Sequence, residues 1–327
     1  MAACVFVTRQ IPQPALDRLT KAGIDFEVYP EDQVIPRDVL LKSVKGRDGV
    51  LCILTDAIDA EVFDCADRAK IFANYAVGYN NIDVDEATKR GIAVTNTPGV
   101  LTDATADLTW TLILGAARRV AETDGYLREG KYTGWGPMLW LGQDVTERTL
   151  GIIGMGRIGQ AVAQRAAAFR MKVLYTDAAD NKEFESNYPF ESRRVEMDEL
   201  LRASDIVSVH VPLLESTHHL IGEAELKKMQ PHAILINSAR GPIVDEAALV
   251  KALKENWIFS AGLDVYEEEP KVHPELVKLP NSLLLPHLGS ATIETRTRMG
   301  EIAVDNLIAF FEGKKPPTLV NESVWTK

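Results

Sequence analysis

Leu150-Gly151-Ile152-Ile153 followed by Gly154-x-Gly156-x-x-Gly159 restricts what this chain can fold into more than any other stretch. A short apolar run bounded by a glycine turn reads as a buried strand, and the Ala-rich segment 160–169 reads as a helix. Strand, tight turn and helix in that order suit a dinucleotide pyrophosphate. Gly154 permits the turn, Gly156 lets the backbone approach the phosphates, and Gly159 lets helix and strand pack closely. The first helical N–H groups and the positive end of the helix dipole face the anion. A bare Gly-x-Gly-x-x-Gly is a weak signal, since a structural glycine turn has the same spelling. Here a second strand, 172–176, ends at Asp177, roughly 20 residues beyond the turn. A carboxylate there accepts hydrogen bonds from the adenosine ribose hydroxyls.

The segments before the fingerprint alternate strand and helix. Strands are expected at 4–8, 26–29, 49–54, 70–75 and 92–95, and helices at 14–22, 37–44, 60–66 and 83–90, the last capped by Asp83. Repeated β-α units of this kind imply an α/β fold, a parallel sheet with helices on both faces. Asn96-Thr97-Pro98-Gly99 breaks the pattern, and a long helix follows over 101–119. Beyond the fingerprint, strands are expected at 205–211, 233–237, 258–263 and 282–285. A helix capped by Asp245 should span 245–256, and a terminal one 292–311. The 327 residues suffice for roughly two domains.

The stretch 130–142 is irregular yet apolar, with Tyr132, Trp135 and Trp140 among glycines. Such a loop is a poor fit to water, so it is expected to pack on a partner subunit, the other possibility being that it folds over its own domain. A net charge of -11 argues against a nucleic-acid or anionic-membrane surface, and an anionic substrate would need a local cation. No apolar run approaches the ~20 residues of a membrane span. The start, 1–8, lacks a charged region ahead of its apolar run and reads as a strand and not as a signal peptide. Cys4, Cys52 and Cys65 have no metal-ligand spacing and fit small core residues in a reducing cytoplasm.

In open parallel sheets, ligands bind beyond the carboxyl ends of the strands. That rule selects Asp177, His210, Arg240, Asp264 and His287, with Glu267-Glu268-Glu269-Pro270 just after Asp264. A nicotinamide cofactor implies hydride transfer. Reduction of a keto acid needs a group for the carboxylate and an acid for the carbonyl oxygen. Arg240 suits the first task, because a guanidinium grips a carboxylate with two parallel bonds. His287 suits the second, because an imidazole titrates near working pH. Glu269 would orient that imidazole and favour its charged form. Each residue alone has an ordinary reading, a surface Arg, a structural His, a solvated acidic run. Their joint occurrence at strand ends behind a dinucleotide fingerprint points to chemistry.

These motifs resemble the D-isomer-specific 2-hydroxyacid dehydrogenases, most of all the glyoxylate/hydroxypyruvate reductase branch. The likeness runs through Val77-Gly78-Tyr79-Asn80-Asn81-Ile82-Asp83, Thr95-Asn96-Thr97-Pro98-Gly99, Ala104-Thr105-Ala106-Asp107 and the fingerprint. It continues in His210-Val211-Pro212-Leu213, Asn237-Ser238-Ala239-Arg240-Gly241, Gly262-Leu263-Asp264-Val265-Tyr266-Glu267-Glu268-Glu269-Pro270 and Pro286-His287-Leu288-Gly289-Ser290-Ala291-Thr292. The resemblance implies two doubly wound parallel-sheet domains. A Rossmann NAD-binding domain at 100–288 is inserted in a flavodoxin-like substrate domain at 1–99 plus 289–327, with the reaction in the cleft between them. It implies catalysis by Arg240, Glu269 and His287, and substrate binding by Leu54, the N–H groups of Val77 and Gly78, and Arg240. Cofactor contacts fall on Thr105, Gly154, Met155, Gly156, Arg157, Ile158, Gly159, Asp177, His210, Val211, Pro212, Thr217, Ser238, Ala239, Asp264, His287 and Gly289. Asp264 would face the nicotinamide amide.

The resemblance further implies a homodimer, through the NAD-binding domain and the arm 135–141, in which Trp140 reaches the partner's site. No metal is implied. Relatives that take NADPH often carry Arg or Ser after the second strand; Asp177-Ala178-Ala179-Asp180 here favours NADH. Which 2-keto acid is reduced depends on how Leu54, Tyr79, Met299 and Trp140 pack. D-lactate chemistry is the neighbouring possibility; 3-phosphoglycerate fits less well, because no regulatory extension follows the terminal helix. A nucleotide-sensing corepressor on the same fold is the non-enzymatic alternative.

Overall fold

Short apolar runs alternating with helical segments produce two parallel sheets in the computed structural model, which describes residues 2–325. One compact unit comprises Met1–Leu101 with Ser290–Lys327, the other Thr102–Gly289.

In the first unit β1 (Cys4–Val7), β2 (Asp25–Val28), β3 (Gly49–Ile53), β4 (Ile71–Tyr75) and β5 (Ala93–Thr95) pair in the order β2-β1-β3-β4-β5. Successive side chains on a strand point to opposite faces. Val5, Val7, Leu51 and Ile71 therefore enter one core layer, against Leu16 and Leu19 of the Gln13–Lys21 helix and Val304 and Leu307 of the Ile293–Phe311 helix. Phe6, Val50, Cys52 and Phe72 enter the opposite layer, with Val62 and Phe63. Both faces are covered, so the strands read as continuous apolar runs and not as alternating ones. Asp83 and Thr292 cap their helices, accepting from the N–H groups of Glu86 and Thr295.

In the second unit β6 (Thr149–Ile153), β7 (Lys172–Thr176), β8 (Ser192–Arg194), β9 (Ile206–Val209), β10 (Ile234–Asn237), β11 (Ser260–Leu263) and β12 (Ser282–Leu284) form a seven-stranded sheet, in the order β12-β11-β10-β9-β6-β7-β8. The chain reverses direction across the sheet at β6, between β9 and β7, and this switch point is where an open α/β sheet binds its ligand. The Thr102–Ala117 helix lies on this sheet. Trp110 Nε1 donates to Val162 O at 2.9 Å, and its ring stacks on Phe169 at 4.7 Å.

The expected strands and helices are present, with shifted ends. The fingerprint helix begins at Arg157, earlier than the Ala-rich run, and ends at Ala166 in a short 3-10 turn, Ala167–Phe169. The strand expected over 205–211 stops at Val209, which leaves His210, Val211 and Pro212 in the loop beyond it. The pattern gave no sign of the Val120–Arg128 helix, which buries none of its residues, or of β8, a polar three-residue edge strand. Without a buried face there is no apolar period to read. The Lys182–Asn187, Met197–Ala203 and Glu223–Leu226 helices were missed as well; they are four to seven residues long. Among the described residues, no helix is long and apolar enough to cross a membrane.

Candidate active site

The three fingerprint glycines answer to different constraints. Gly154 has φ +98°, and a Cβ there would lie 2.8 Å from the backbone of His210 and Val211. At Gly159 a Cβ would lie 2.0 Å from Gly154 O. These two are required by the protein's own packing. Gly156 differs: a Cβ there would meet no atom within 4 Å. Space is open in front of Gly156, at the start of the Arg157–Ala166 helix, where N–H groups lack intrahelical partners. A pyrophosphate fits that cradle. Asp177, at the end of β7, accepts from Met155 N–H at 2.6 Å and from Ala178 N–H at 2.6 Å. Its carboxylate is thereby held at the edge of the glycine turn.

Of the other residues expected on the nucleotide side, His210 and Ser238 follow the ends of β9 and β10, Thr217 lies in the Glu215–Thr217 3-10 turn, and Thr105 lies on the Thr102–Ala117 helix. His210 Nε2 bonds Ser208 Oγ at 2.8 Å, and burial lowers its pKa to about 3, so the ring is neutral. Thr217 Oγ1 donates to Pro212 O at 2.7 Å and accepts from Leu214 N–H at 2.8 Å, fixing the turn after Val211. Ser238 shares a hydroxyl contact of 2.8 Å with Thr109. Thr105 Oγ1 donates to Gly289 O at 3.1 Å.

Arg240, Glu269 and His287 are carried by the loops after β10, β11 and β12, three adjacent parallel strands. His287 Nδ1 and Glu269 Oε2 are 2.8 Å apart. Desolvation alone would raise the Glu269 pKa. The His287 hydrogen bond and charge, the Tyr266 N–H and the Arg240 charge outweigh it, and the carboxyl lies below its ordinary value. Arg240 is largely enclosed; burial lowers its pKa against the opposing charge of Glu269. The approach of the Arg240 loop to the Glu269 loop depends on Gly241, where a Cβ would fall 1.9 Å from the Tyr266 backbone.

His287 has φ 56°, in the left-handed region that costs a non-glycine residue about 1–2 kcal/mol. Asp264 holds that turn. Its carbonyl accepts from His287 N–H at 2.9 Å, Oδ1 from Leu288 N–H at 2.6 Å, and Oδ2 from Gly289 N–H at 2.8 Å. Asp264 is 1% exposed, and burial raises its pKa although those N–H groups and His287 pull the other way. The residue that the resemblance gives to the nicotinamide amide is thus also the support of the His287 turn.

A model of the D-isomer specific 2-hydroxyacid dehydrogenase NAD binding domain matches residues 110–289. The glyoxylate reductase of Thermococcus gammatolerans is 53% identical over 324 residues, 98% of this chain and 96% of that protein. The chain belongs to the D-isomer-specific 2-hydroxyacid dehydrogenase family. The dehydrogenase is an NAD-binding oxidoreductase, and its fold is shared by solved structures. A Thermus thermophilus protein of 47% identity superposes with TM-score 0.91, covering 97% of this chain and 99% of that one. The NADPH-dependent glyoxylate/hydroxypyruvate reductase of Sinorhizobium meliloti, solved with NADP and malonate, has 32% identity and TM-score 0.86, covering 100% and 99%.

Several residues that support the dehydrogenase's site escaped sequence reading. Glu246, 5% exposed, accepts from Glu267 N–H at 2.7 Å and His273 N–H at 3.2 Å, tethering the loop that carries Glu269. Tyr266 OH donates to Leu285 O at 2.8 Å. Arg194 of β8 donates from Nε to Asp177 O at 2.9 Å and pairs with Asp180 at 3.5 Å. A buried acid inside a helix was the one available signal, at Glu246; the others are ordinary surface spellings.

In the first unit Leu54 follows β3 and is 37% exposed, Tyr79 is 44% exposed, and Val77 and Gly78 are half-buried in the turn after β4. Met299, whose packing is expected to bear on pocket size, is 3% exposed. Trp140 lies under the Arg119 guanidinium at 4.7 Å and edge-on to Tyr126 at 5.4 Å, whereas Trp135 is 83% exposed.

Proposed function

We propose that this dehydrogenase reduces glyoxylate or hydroxypyruvate to the 2-hydroxy acid, with NADH preferred over NADPH. The observation that carries the reading is the His287–Glu269 contact of 2.8 Å beside Arg240, at the strand ends of the unit that holds the dinucleotide fingerprint. The curated glyoxylate reductase that is 53% identical over nearly the whole chain supports the same substrate class.

NADH bound on the Gly154–Gly159 turn would supply hydride to the substrate carbon. Arg240 binds the substrate carboxylate and polarises the adjoining carbonyl. In the first unit the Val77 and Gly78 N–H groups serve as carboxylate donors, and Leu54 limits the side chain admitted. His287 uses Nδ1 for Glu269, which leaves Nε2 for the carbonyl oxygen. As an imidazolium it donates the Nε2 proton and becomes neutral imidazole, while Glu269 holds Nδ1. His210, kept neutral by burial, donates or accepts a hydrogen bond without bringing a charge.

Asp177 favours the ribose 2′-hydroxyl and repels a 2′-phosphate. Arg194 of β8 is engaged by Asp177 O and Asp180. With glyoxylate as substrate, kcat/KM should be at least roughly 10-fold higher with NADH, a difference near 1.4 kcal/mol. Asp177→Ala should narrow that ratio by raising the NADPH value. Equal kcat/KM with both cofactors in the wild type contradicts the preference.

The exposed side chains of Val120 (52%), Leu127 (59%), Trp135 (83%) and Met138 (77%) support a homodimer through this unit and its 135–141 arm. The expected result is sedimentation as a dimer at micromolar concentration; a monomer under those conditions counts against it.

A further inference from the structure

The turn after β4 has every carbonyl from Ala76 to Tyr79 tied back. Thr97 N–H donates to Ala76 O at 2.8 Å, Asn96 Nδ2 to Val77 O at 2.8 Å, Asn74 Nδ2 to Gly78 O at 3.0 Å, and Ile82 N–H to Tyr79 O at 3.0 Å. In a planar trans peptide the N–H lies opposite the C=O of the same unit. The N–H groups of Val77, Gly78 and Tyr79 are therefore turned away from the groups that hold those carbonyls, and none of the three donates to a described residue. Successive backbone N–H groups left without a protein acceptor in a turn are the donors from which an anion seat is built.

Asn74 is the least expected of the anchors. It is an uncharged polar residue inside β4, 0% exposed. A polar side chain in that position is costly unless fully bonded. Besides Gly78 O, its Nδ2 donates to Asn81 Oδ1 at 3.1 Å. Asn81 Nδ2 in turn donates to Ile53 O at 3.1 Å and Asp56 O at 3.2 Å, on the loop that carries Leu54. Asp56 closes that loop by accepting from Ile53 N–H at 2.8 Å and Thr8 Oγ1 at 2.5 Å.

We infer that Asn74 is a positioning residue for the substrate carboxylate. By holding Gly78 O it turns the Gly78–Tyr79 peptide so that Tyr79 N–H joins those of Val77 and Gly78 as a third donor. Through Asn81 it fixes the Leu54 loop against the same seat. The inference rests on the reading that this turn receives the carboxylate of a 2-keto acid.

The test is steady-state kinetics of Asn74→Ala and Asn74→Ser beside the wild type, with glyoxylate and NADH, together with NADH affinity from fluorescence titration. Serine keeps a polar atom in the buried site but is too short to reach Gly78 O, so it serves if the alanine variant fails to fold. The expected result is a KM for glyoxylate raised roughly 10-fold or more, the loss of one well-aimed bond to a charged group. kcat should stay within about 3-fold and NADH affinity should be unchanged, since the nucleotide residues lie on the other sheet. A merely structural role would lower the amount of active enzyme without separating KM from kcat. A folded variant with wild-type KM overturns the Asn74 assignment alone. A wild type that turns over no 2-keto acid overturns the functional reading and this assignment with it.

Discussion

Replacing Arg240 with Lys is expected to lower kcat/KM for glyoxylate by roughly 10- to 100-fold, and replacement with Ala by more, with NADH affinity preserved. The reason lies in what a guanidinium offers and an ammonium does not. Its planar fork can bond two oxygens of a keto acid at once, whereas lysine presents a single point charge on a flexible stem. A hydrogen bond to a charged group contributes about 1.5–3 kcal/mol, and each 1.36 kcal/mol is a factor of ten. Arg240 is also fixed in place. Its Nη1 donates to Ala239 O at 2.7 Å, and Asn237 Nδ2 grips its own carbonyl at 2.9 Å, so the fork is preorganised. The loss should appear in both KM and kcat, because the proposed mechanism has the same group bind the carboxylate and polarise the carbonyl. Steady-state kinetics with glyoxylate, hydroxypyruvate and pyruvate measure it. A Lys variant of undiminished kcat/KM removes Arg240 from the mechanism.

His287→Ala is expected to cost roughly 10²- to 10⁴-fold in kcat, the usual contribution of a positioned general acid. The structure fixes this residue through its backbone turn and through its ring. Asp264 holds three successive N–H groups of its turn, and Glu269 takes Nδ1. Glu269→Gln keeps the shape of that contact and removes the charge. The Glu269 carboxyl titrates below its ordinary value, so its support for the imidazolium is present above the ordinary carboxylate range. That support is lost as pH falls through the lowered value. The deficit in kcat/KM of Glu269→Gln relative to the wild type should therefore be full above the ordinary carboxylate range and shrink as pH falls through the lowered Glu269 value.

The fold was legible because its sheets are covered on both faces. Buried strands such as Leu150 to Ile153 are then unbroken apolar runs, and the glycine turn beside them has a defined spelling. Arg240, Glu269 and His287 could be selected without knowing their contacts, because β10, β11 and β12 are parallel neighbours and their ends must open on one side. Elements without a buried face left no trace in the pattern. The Val120–Arg128 helix and β8 are held by tertiary context that hydrophobic period does not record. The supporting bonds were hidden for a different reason. Asn74, Glu246 and Tyr266 act through backbone groups of other loops, and no sequence spacing encodes which carbonyl or N–H lies within 3 Å.

The most direct measurement is a single-turnover experiment, NADH oxidation by excess enzyme with saturating glyoxylate, run on the wild type and on His287→Ala. Rapid oxidation is expected from the wild type and a rate lower by roughly 10²- to 10⁴-fold from the variant, with NADH still bound. Equal rates in the two proteins, or no oxidation by the wild type, would contradict it.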